Sequence, residues 1–491
     1  MNNLQKLASQ TAIYGLSSVI GRILNYLLVP LYTRVFSTEQ YGVVTEMYAY
    51  VAFLIIILIY GMETAFFRFS SQSDEKSKVY STTLISIVCT SFLFMLFAAL
   101  FSQPIADWLR YPNHSEYVTW FAIIVGLDAL SAIPLAKLRE QNRATTFATV
   151  NLVNIAVNIG LNLFFLVYCK NVYEAGDSNW LVDTFYNPEI GVGYVFIANL
   201  IASIAKCALL LPWMLTIKLY VDRELLRKMF LYASPLLIAG LAGMVNETID
   251  RIMIKRLLID TLGEKATMEQ LGIYGACYKI SIIITIFIQA FRYAAEPFFF
   301  AQHSQGDSKT SYATIMKFFV AACSIIFLSI MLFIDVVIRF VGPEFREGIT
   351  VVPILLMANL CLGIYFNLSI WYKLTGLTRF GAYIALMGAA ITITLNFFWI
   401  PWIGYVGSAW ATLVCYAFIA IVSYIYGQKY YPIDYDLPKI IGYPVAAALL
   451  YYLSTFIHSD IAMINYVING VILLAFVLVV YIIEIKKSLT K

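Results

Sequence analysis

Apolar positions run along this chain in long unbroken blocks, each near bilayer length, with only short polar links between them. A hydrocarbon core about 30 Å thick takes roughly 20 apolar residues as a helix. Helices and closed barrels are the only structures that satisfy every backbone polar group in lipid. The blocks predict helical spans at 8–32, 42–66, 80–102, 117–137, 146–168, 189–215, 231–256, 272–300, 312–340, 349–372, 381–400, 406–427, 439–457 and 463–484. The longest link, from Lys170 to Glu189, is too short to fold as a domain. The pattern predicts an all-α integral membrane protein of about fourteen spans, with no soluble catalytic module.

Several blocks carry charges near their middles. Arg22, Asp128, Lys206, Glu247, Asp250, Arg251 and Lys279 lie deep, while Glu63, Arg292 and Glu296 sit nearer one end of their spans. At about 3 kcal/mol each, seven deep charges facing lipid would cost roughly 20 kcal/mol. They are therefore expected to face a cavity, a partner or a substrate path. Glu247 with Arg251 and Arg292 with Glu296 are spaced i,i+4, so ion pairing along one helix explains them as well as a cavity does. Arg22, Lys206 and Lys279 have no such partner, and the cavity reading is stronger there. In the fifth span Asn151, Asn154, Asn158 and Asn162 fall on one narrow helical face. Asparagines join helices in lipid. Amides also donate and accept together, which suits a hydroxyl-rich ligand.

Composition adds little to this picture. The chain is 61% apolar and 13% charged, where a soluble domain carries about a quarter charged residues. Nineteen Lys and Arg fall in links on one side and five on the other, or eight with borderline positions. By the positive-inside rule both termini are cytoplasmic. The net charge of +4 then reflects topology rather than nucleic acid binding. The start runs polar through Thr11 and continues past Arg22 into a full span, unlike a cleavable signal peptide. Seven scattered cysteines show no metal-ligand spacing. There is no G-x-x-x-x-G-K-[ST] loop for nucleotide phosphates, so no cofactor is implied and an ion gradient or downhill flow is the expected energy source. His114, His303 and His458 fall in three separate short loops, which disfavours a membrane-embedded polymerase.

A weak repeat organises the chain. SQTAIYGLSSVIGRILN from Ser9 parallels SPLLIAGLAGMVNETID from Ser234, matching Gly15 to Gly240, Arg22 to Glu247 and Asn25 to Asp250. Corresponding links keep the same side, so a parallel duplication of six spans is expected, with substrate held between the halves. The expected domains are a lobe at 1–216, a pseudo-symmetric lobe at 217–428, and two added spans with a tail at 429–491.

The opening QTAIYGLSSVIGRILNYLLVPLYTRVFSTEQYG, the LREQNRA loop, the ETIDRIMI run, YGACYKI and IPWIGYVGSAWATL together resemble the Wzx-type oligosaccharide flippases. These belong to the multidrug/oligosaccharidyl-lipid/polysaccharide exporter (MOP) superfamily. The resemblance implies a V-shaped, two-lobed bundle in a bacterial inner membrane, alternating between cytoplasm-facing and periplasm-facing states. It implies a polyprenyl-pyrophosphate-linked oligosaccharide as ligand, and a polysaccharide polymerase and glycosyltransferases as pathway partners. The cations Arg22, Lys206, Arg251, Lys279 and Arg292 suit a diphosphate. Asn25 and the asparagine stripe suit the sugar, with Tyr14, Tyr26 and Tyr278 as stacking candidates. Asp128, Glu247, Asp250 and Glu63 are candidates for a coupling proton or sodium ion. A multidrug exporter or a peptidoglycan-precursor flippase would share the fold.

Overall fold

The computed structural model describes residues 19–177, 179–217, 220–303, 309–457 and 459–486, without the side chains at 293, 294, 296–298, 300–303, 485 and 486. Tyr14, Gly15, His458 and the side chains of Glu296 and His303 lie outside the described residues. Among those described, thirteen helices are long and apolar enough to cross a membrane. They coincide with every expected span after the first, whose residues 8–18 are not described.

The chain divides into two compact units, Met1–Ile252 and Met253–Lys491. The boundary lies inside one long helix, later than the 216/217 position expected from the duplication.

In the first unit, a helical stretch at 19–26 leads into α1 (Leu28–Val35). Ser37 then starts α2 (Thr38–Ile59) with a capping box: its Oγ accepts from the Gln40 amide at 3.2 Å while Gln40 Oε1 accepts from the Ser37 amide. That satisfies two of the amides a helix start leaves over. α2 stops at Tyr60 and Gly61, both left-handed with φ of 35° and 73°, and α3 (Met62–Gln72) resumes beyond them. Gly61 is required twice over. Its backbone sits where L side chains are strained, and a Cβ there would lie 2.9 Å from the Ala233 carbonyl oxygen.

The unit continues with α4 (Lys76–Leu100), α5 (Ser102–Trp108), α6 (Ser115–Glu140) and α7 (Ala144–Leu163). A π-helical segment, Phe164–Cys169, follows α7, then α8 (Lys170–Glu174), α9 (Trp180–Phe185) and α10 (Gly193–Met214). α6 is the hub, packing on α4, α10 and α2. Met62, Phe66, Tyr80, Leu84, Ile87, Val125, Ile133 and Met229 form its buried core, which therefore includes the first turns of α11 (Arg223–Leu262). Fully burying one such side chain contributes about 1.5–3 kcal/mol when the alternative is water.

The second unit holds the end of α11, then α12 (Glu264–His303), α13 (Lys309–Leu332), the single turn α14 (Ile334–Val337) and α15 (Val351–Leu368). The short α16 (Ile370–Leu374), α17 (Arg379–Ile403), α18 (Tyr405–Tyr430), α19 (Leu437–Ser454) and α20 (Ala462–Tyr481) complete it. α18 packs on α15 and α17, and α19 packs on α13. Buried polar pairs join these apolar helices: Ser408 Oγ donates to Asn396 Oδ1 at 2.7 Å, and Asn359 Nδ2 donates to the Ser281 carbonyl at 3.1 Å. Hydrogen bonds of this kind replace the hydrophobic drive that is missing between helices in lipid.

Candidate functional site

Of the deep charges of the first unit, Asp128 lies on α6, Lys206 on α10, and Glu247, Asp250 and Arg251 on α11. Lys206 on α10 places its Nζ 2.6 Å from Asp128 Oδ1 on α6, and Ser203 Oγ donates to the same oxygen at 2.9 Å. Also on α10, Asn199 Nδ2 donates to the Tyr48 hydroxyl of α2 at 2.9 Å. The sequence offered Lys206 no partner within its own helix. The partner instead comes from a helix two spans earlier, and Lys206 is held by a carboxylate.

Arg251 differs from expectation as well. Its guanidinium meets Asp250 Oδ1 at 3.1 Å and reaches residue 247 at the backbone carbonyl, at 2.5 Å. The Glu247 carboxylate is exposed and enters no ion pair among the described residues. Asp250 is the nearer acid and, being buried, gains more from the cation than an exposed carboxylate does. Arg22 and Asn25 are exposed.

The asparagine stripe divides into two parts. Asn158 Nδ2 donates to Asn25 Oδ1 at 3.4 Å, and Asn162 Nδ2 donates to the Asn158 carbonyl at 2.8 Å and to its Oδ1 at 3.2 Å. This chain of amides joins the first span to α7. Asn162 is fully buried, and its Oδ1 accepts no hydrogen bond among the described residues. Asn151 instead donates to the carbonyl of Phe147 in its own helix at 3.0 Å, and Asn154 is half-buried. The π-helical segment begins directly after this stripe, and such bulges are frequent at functional sites.

Glu63 is an ion-pair partner of Arg139 in the last turn of α6. Around it Lys76 meets Glu140 at 2.6 Å, Lys78 meets Asp222 at 3.1 Å, and Lys137 donates to Thr216 Oγ1 at 2.9 Å. Asp222 also caps α11, accepting from the Leu225 amide at 3.0 Å. That bond, with Lys78, holds its carboxyl below the usual carboxylate range. These contacts tie three links together at one end of the unit.

In the second unit Lys279 is half-buried. Arg292 lies 4.2 Å over the Phe366 ring, in a small recess with Phe291, Phe299, Asn367 and Lys373. Three buried charges escaped sequence reasoning. Glu46, fully buried, accepts from the Tyr111 hydroxyl at 2.5 Å. Lys255 is 1% exposed. Glu484 is ringed by Lys317, Lys439 and Tyr443. Each lies toward a span end, where charge is cheap and draws no notice.

Among the described residues no cluster of His, Cys, Asp and Glu could hold a metal ion. Two clefts are apolar. One of about 350 Å³ in the first unit is lined by Tyr50, Phe53, Phe97, Trp108, Phe121 and Ile249 among others. One of about 370 Å³ in the second involves Met357, Ile364, Tyr424 and Ile440.

Comparison with known proteins places this geometry. The polysaccharide biosynthesis protein family matches residues 7–303. No curated protein matches the chain. The fold is similar to that of the lipid II flippase MurJ in an inward closed conformation, at 13% identity over 97% of this chain and 99% of that one, with a TM-score of 0.73. It is also similar to a multidrug resistance MATE family transporter of the MOP superfamily in its inward-facing conformation, at 14% identity over 83% and 93%, with a TM-score of 0.64. The outward-facing conformation of such a transporter matches at 14% identity over 87% and 98%, with a TM-score of 0.58. Built on the fold of the MOP-superfamily exporters, this chain belongs to the polysaccharide biosynthesis protein family.

Proposed function

We propose that the protein is a flippase that moves a polyprenyl-pyrophosphate-linked oligosaccharide from the inner to the outer leaflet of a bacterial cytoplasmic membrane, by alternating access. One observation carries the reading: a polysaccharide biosynthesis family match over residues 7–303 on a fold whose likeness to a lipid II flippase runs nearly the whole chain. The chemistry agrees with it. A diphosphate needs cations in a low-dielectric setting, and the candidates are Arg22, Lys206 and Arg251 in the first unit and, taken separately, Lys279 and Arg292 in the second. The amides at Asn25, Asn151, Asn154, Asn158 and Asn162 suit sugar hydroxyls. The lipid tail stays in the bilayer, where burial in apolar clefts costs nothing. Both termini are cytoplasmic on this reading, and the polymerase and glycosyltransferases of the same pathway are its partners.

The test is reconstitution of the purified protein into vesicles with lipid-linked oligosaccharides on one leaflet, scoring their arrival on the other with a membrane-impermeant glycosidase. Transfer of such a glycolipid, with the peptidoglycan precursor moved poorly, supports the proposal. Transfer of that precursor alone assigns the chain to cell-wall synthesis. Failure with every glycolipid, together with efflux of a cationic dye, assigns it to drug export.

A further inference from the structure

We infer that the link from α8 to α10 is a glycan-binding ledge, on which the oligosaccharide rests once it has crossed the membrane. The inference rests on the flippase reading above, which puts this link on the outer face and supplies its ligand.

The link is firmly built. Asn179 starts α9 by accepting from the Val182 amide at 3.0 Å, while its Nδ2 donates to the Tyr168 hydroxyl at 3.1 Å. Asn187 accepts from the Glu189 amide at 2.9 Å, and the Tyr194 hydroxyl donates to the Phe185 carbonyl at 3.2 Å. The rings of Tyr186 and Phe165 stack on Tyr194, with centroids 5.3 and 4.5 Å away. Long connections that are ordered in this way are commonly functional.

On this frame large rings stand in the open. Trp180 is 71% exposed, Phe185 53% and Tyr173 52%. Trp180 meets Phe185 edge to face at 6.5 Å. On α9 it shares a helical face with Asp183 and Thr184, three and four residues on, and both of these are exposed. A ring beside a carboxylate and a hydroxyl is the combination a sugar takes. The apolar C–H face of a pyranose packs on the ring, and its hydroxyls donate to the carboxylate and exchange hydrogen bonds with the threonine. Such rings offer a large rigid surface at little cost in conformational entropy.

Anchoring at the lipid interface is the other use of exposed aromatics on a membrane protein. Charge speaks against it here. Between Lys170 and Gly191 the carboxylates are Glu174, Asp177, Asp183 and Glu189, while the single cation, Lys170, lies 3.7 Å from Glu174. Anionic headgroups attract basic segments and repel acidic ones, whereas sugar hydroxyls donate to carboxylates. The glycan also stays tied to a lipid in the bilayer beside the ledge. That tether holds it at an effective concentration on the order of millimolar, so a weak site is sufficient.

The experiment is saturation-transfer NMR on the full-length protein in detergent, with a panel of lipid-free bacterial repeat-unit oligosaccharides as probes. At least one oligosaccharide binds the wild type with an affinity on the order of millimolar. Trp180→Ala weakens that binding about tenfold, and Trp180→Phe, which keeps a ring, restores most of it. Wild type and Trp180→Phe are then compared in vesicles of lipids with brominated tails. The fluorescence that Trp180 contributes, taken as the difference between the two proteins, stays unquenched. Quenching of that difference makes the link a membrane anchor and overturns the inference. A panel from which nothing binds overturns it too, and so does binding that is unchanged in Trp180→Ala. The leaflet-transfer assay tests the flippase reading separately, and none of these outcomes decides it.

Discussion

Glu484 offers a prediction that depends on no assumption about substrate. It lies in a π-helical turn after α20, with its side chain 1% exposed. Lys317 of α13 pairs with Oε2, Lys439 of α19 lies 2.8 Å from Oε1, and the Tyr443 hydroxyl donates to Oε1. One carboxylate thus pins the two C-terminal helices to α13. Its removal strands two ammonium groups whose side chains are 19% and 23% exposed. Breaking a buried pair from one side costs about 3–5 kcal/mol. Because both lysines can partly reach water along their stems, we expect Glu484→Gln to cost roughly 2–3 kcal/mol. For a unit the size of Met253–Lys491, that lowers Tm by about 5–10 °C. The assay is thermal unfolding in mild detergent, followed by size-exclusion chromatography. Adding Lys317→Met and Lys439→Met removes the stranded charges, and most of the loss should return. The reasoning is refuted if Glu484→Gln unfolds within about 1 °C of the wild type, or if the triple variant is no better than the single one.

Two further outcomes are expected. Gly61→Ala meets both a left-handed backbone and the Ala233 carbonyl, whereas Gly176→Ala, at a similar φ of 75°, has nothing within 4 Å. The second should cost only the backbone penalty of about 1–2 kcal/mol and the first clearly more, by chemical denaturation of the two variants side by side. Asp222→Ala should lower Tm at neutral pH, since it loses the α11 cap and the Lys78 contact. The folded carboxyl titrates below its ordinary range, so this contribution is present above the unfolded titration and is lost as pH falls through the folded one. Melting curves of variant and wild type should therefore converge in strong acid.

The helices were legible in the sequence because lipid imposes length and continuous apolarity at once, a demand few other settings make. All thirteen described spans follow from it. Breaks within spans were less so. The sequence YGME at 60–63 carries one glycine, and nothing in it shows that Ala233 of α11 packs against the left-handed turn there. The π-helical turn after Leu163 has no marker in NLFFLVYC beyond the asparagine before it. Partners across helices were the least legible. Lys206 and Asp128 are 78 residues apart, and nothing in either span names the other. The i,i+4 rule suggested Glu247 for Arg251, but burial favoured Asp250 next to it.

These pairings change what the deep charges imply. Asp128 with Lys206 and Asp250 with Arg251 account for four of the seven, and their cost is met within the protein. They no longer demand a cavity by themselves. Arg22 and Glu247 make the stronger case, because both side chains are exposed within stretches that the sequence reads as membrane spans. Facing lipid there, each would cost about 2.5–3.5 kcal/mol. An exposed guanidinium at that depth is stable only against water or an anion, so a hydrated surface must reach the first span. The same argument gives Glu247, of opposite sign, a hydrated surface of its own.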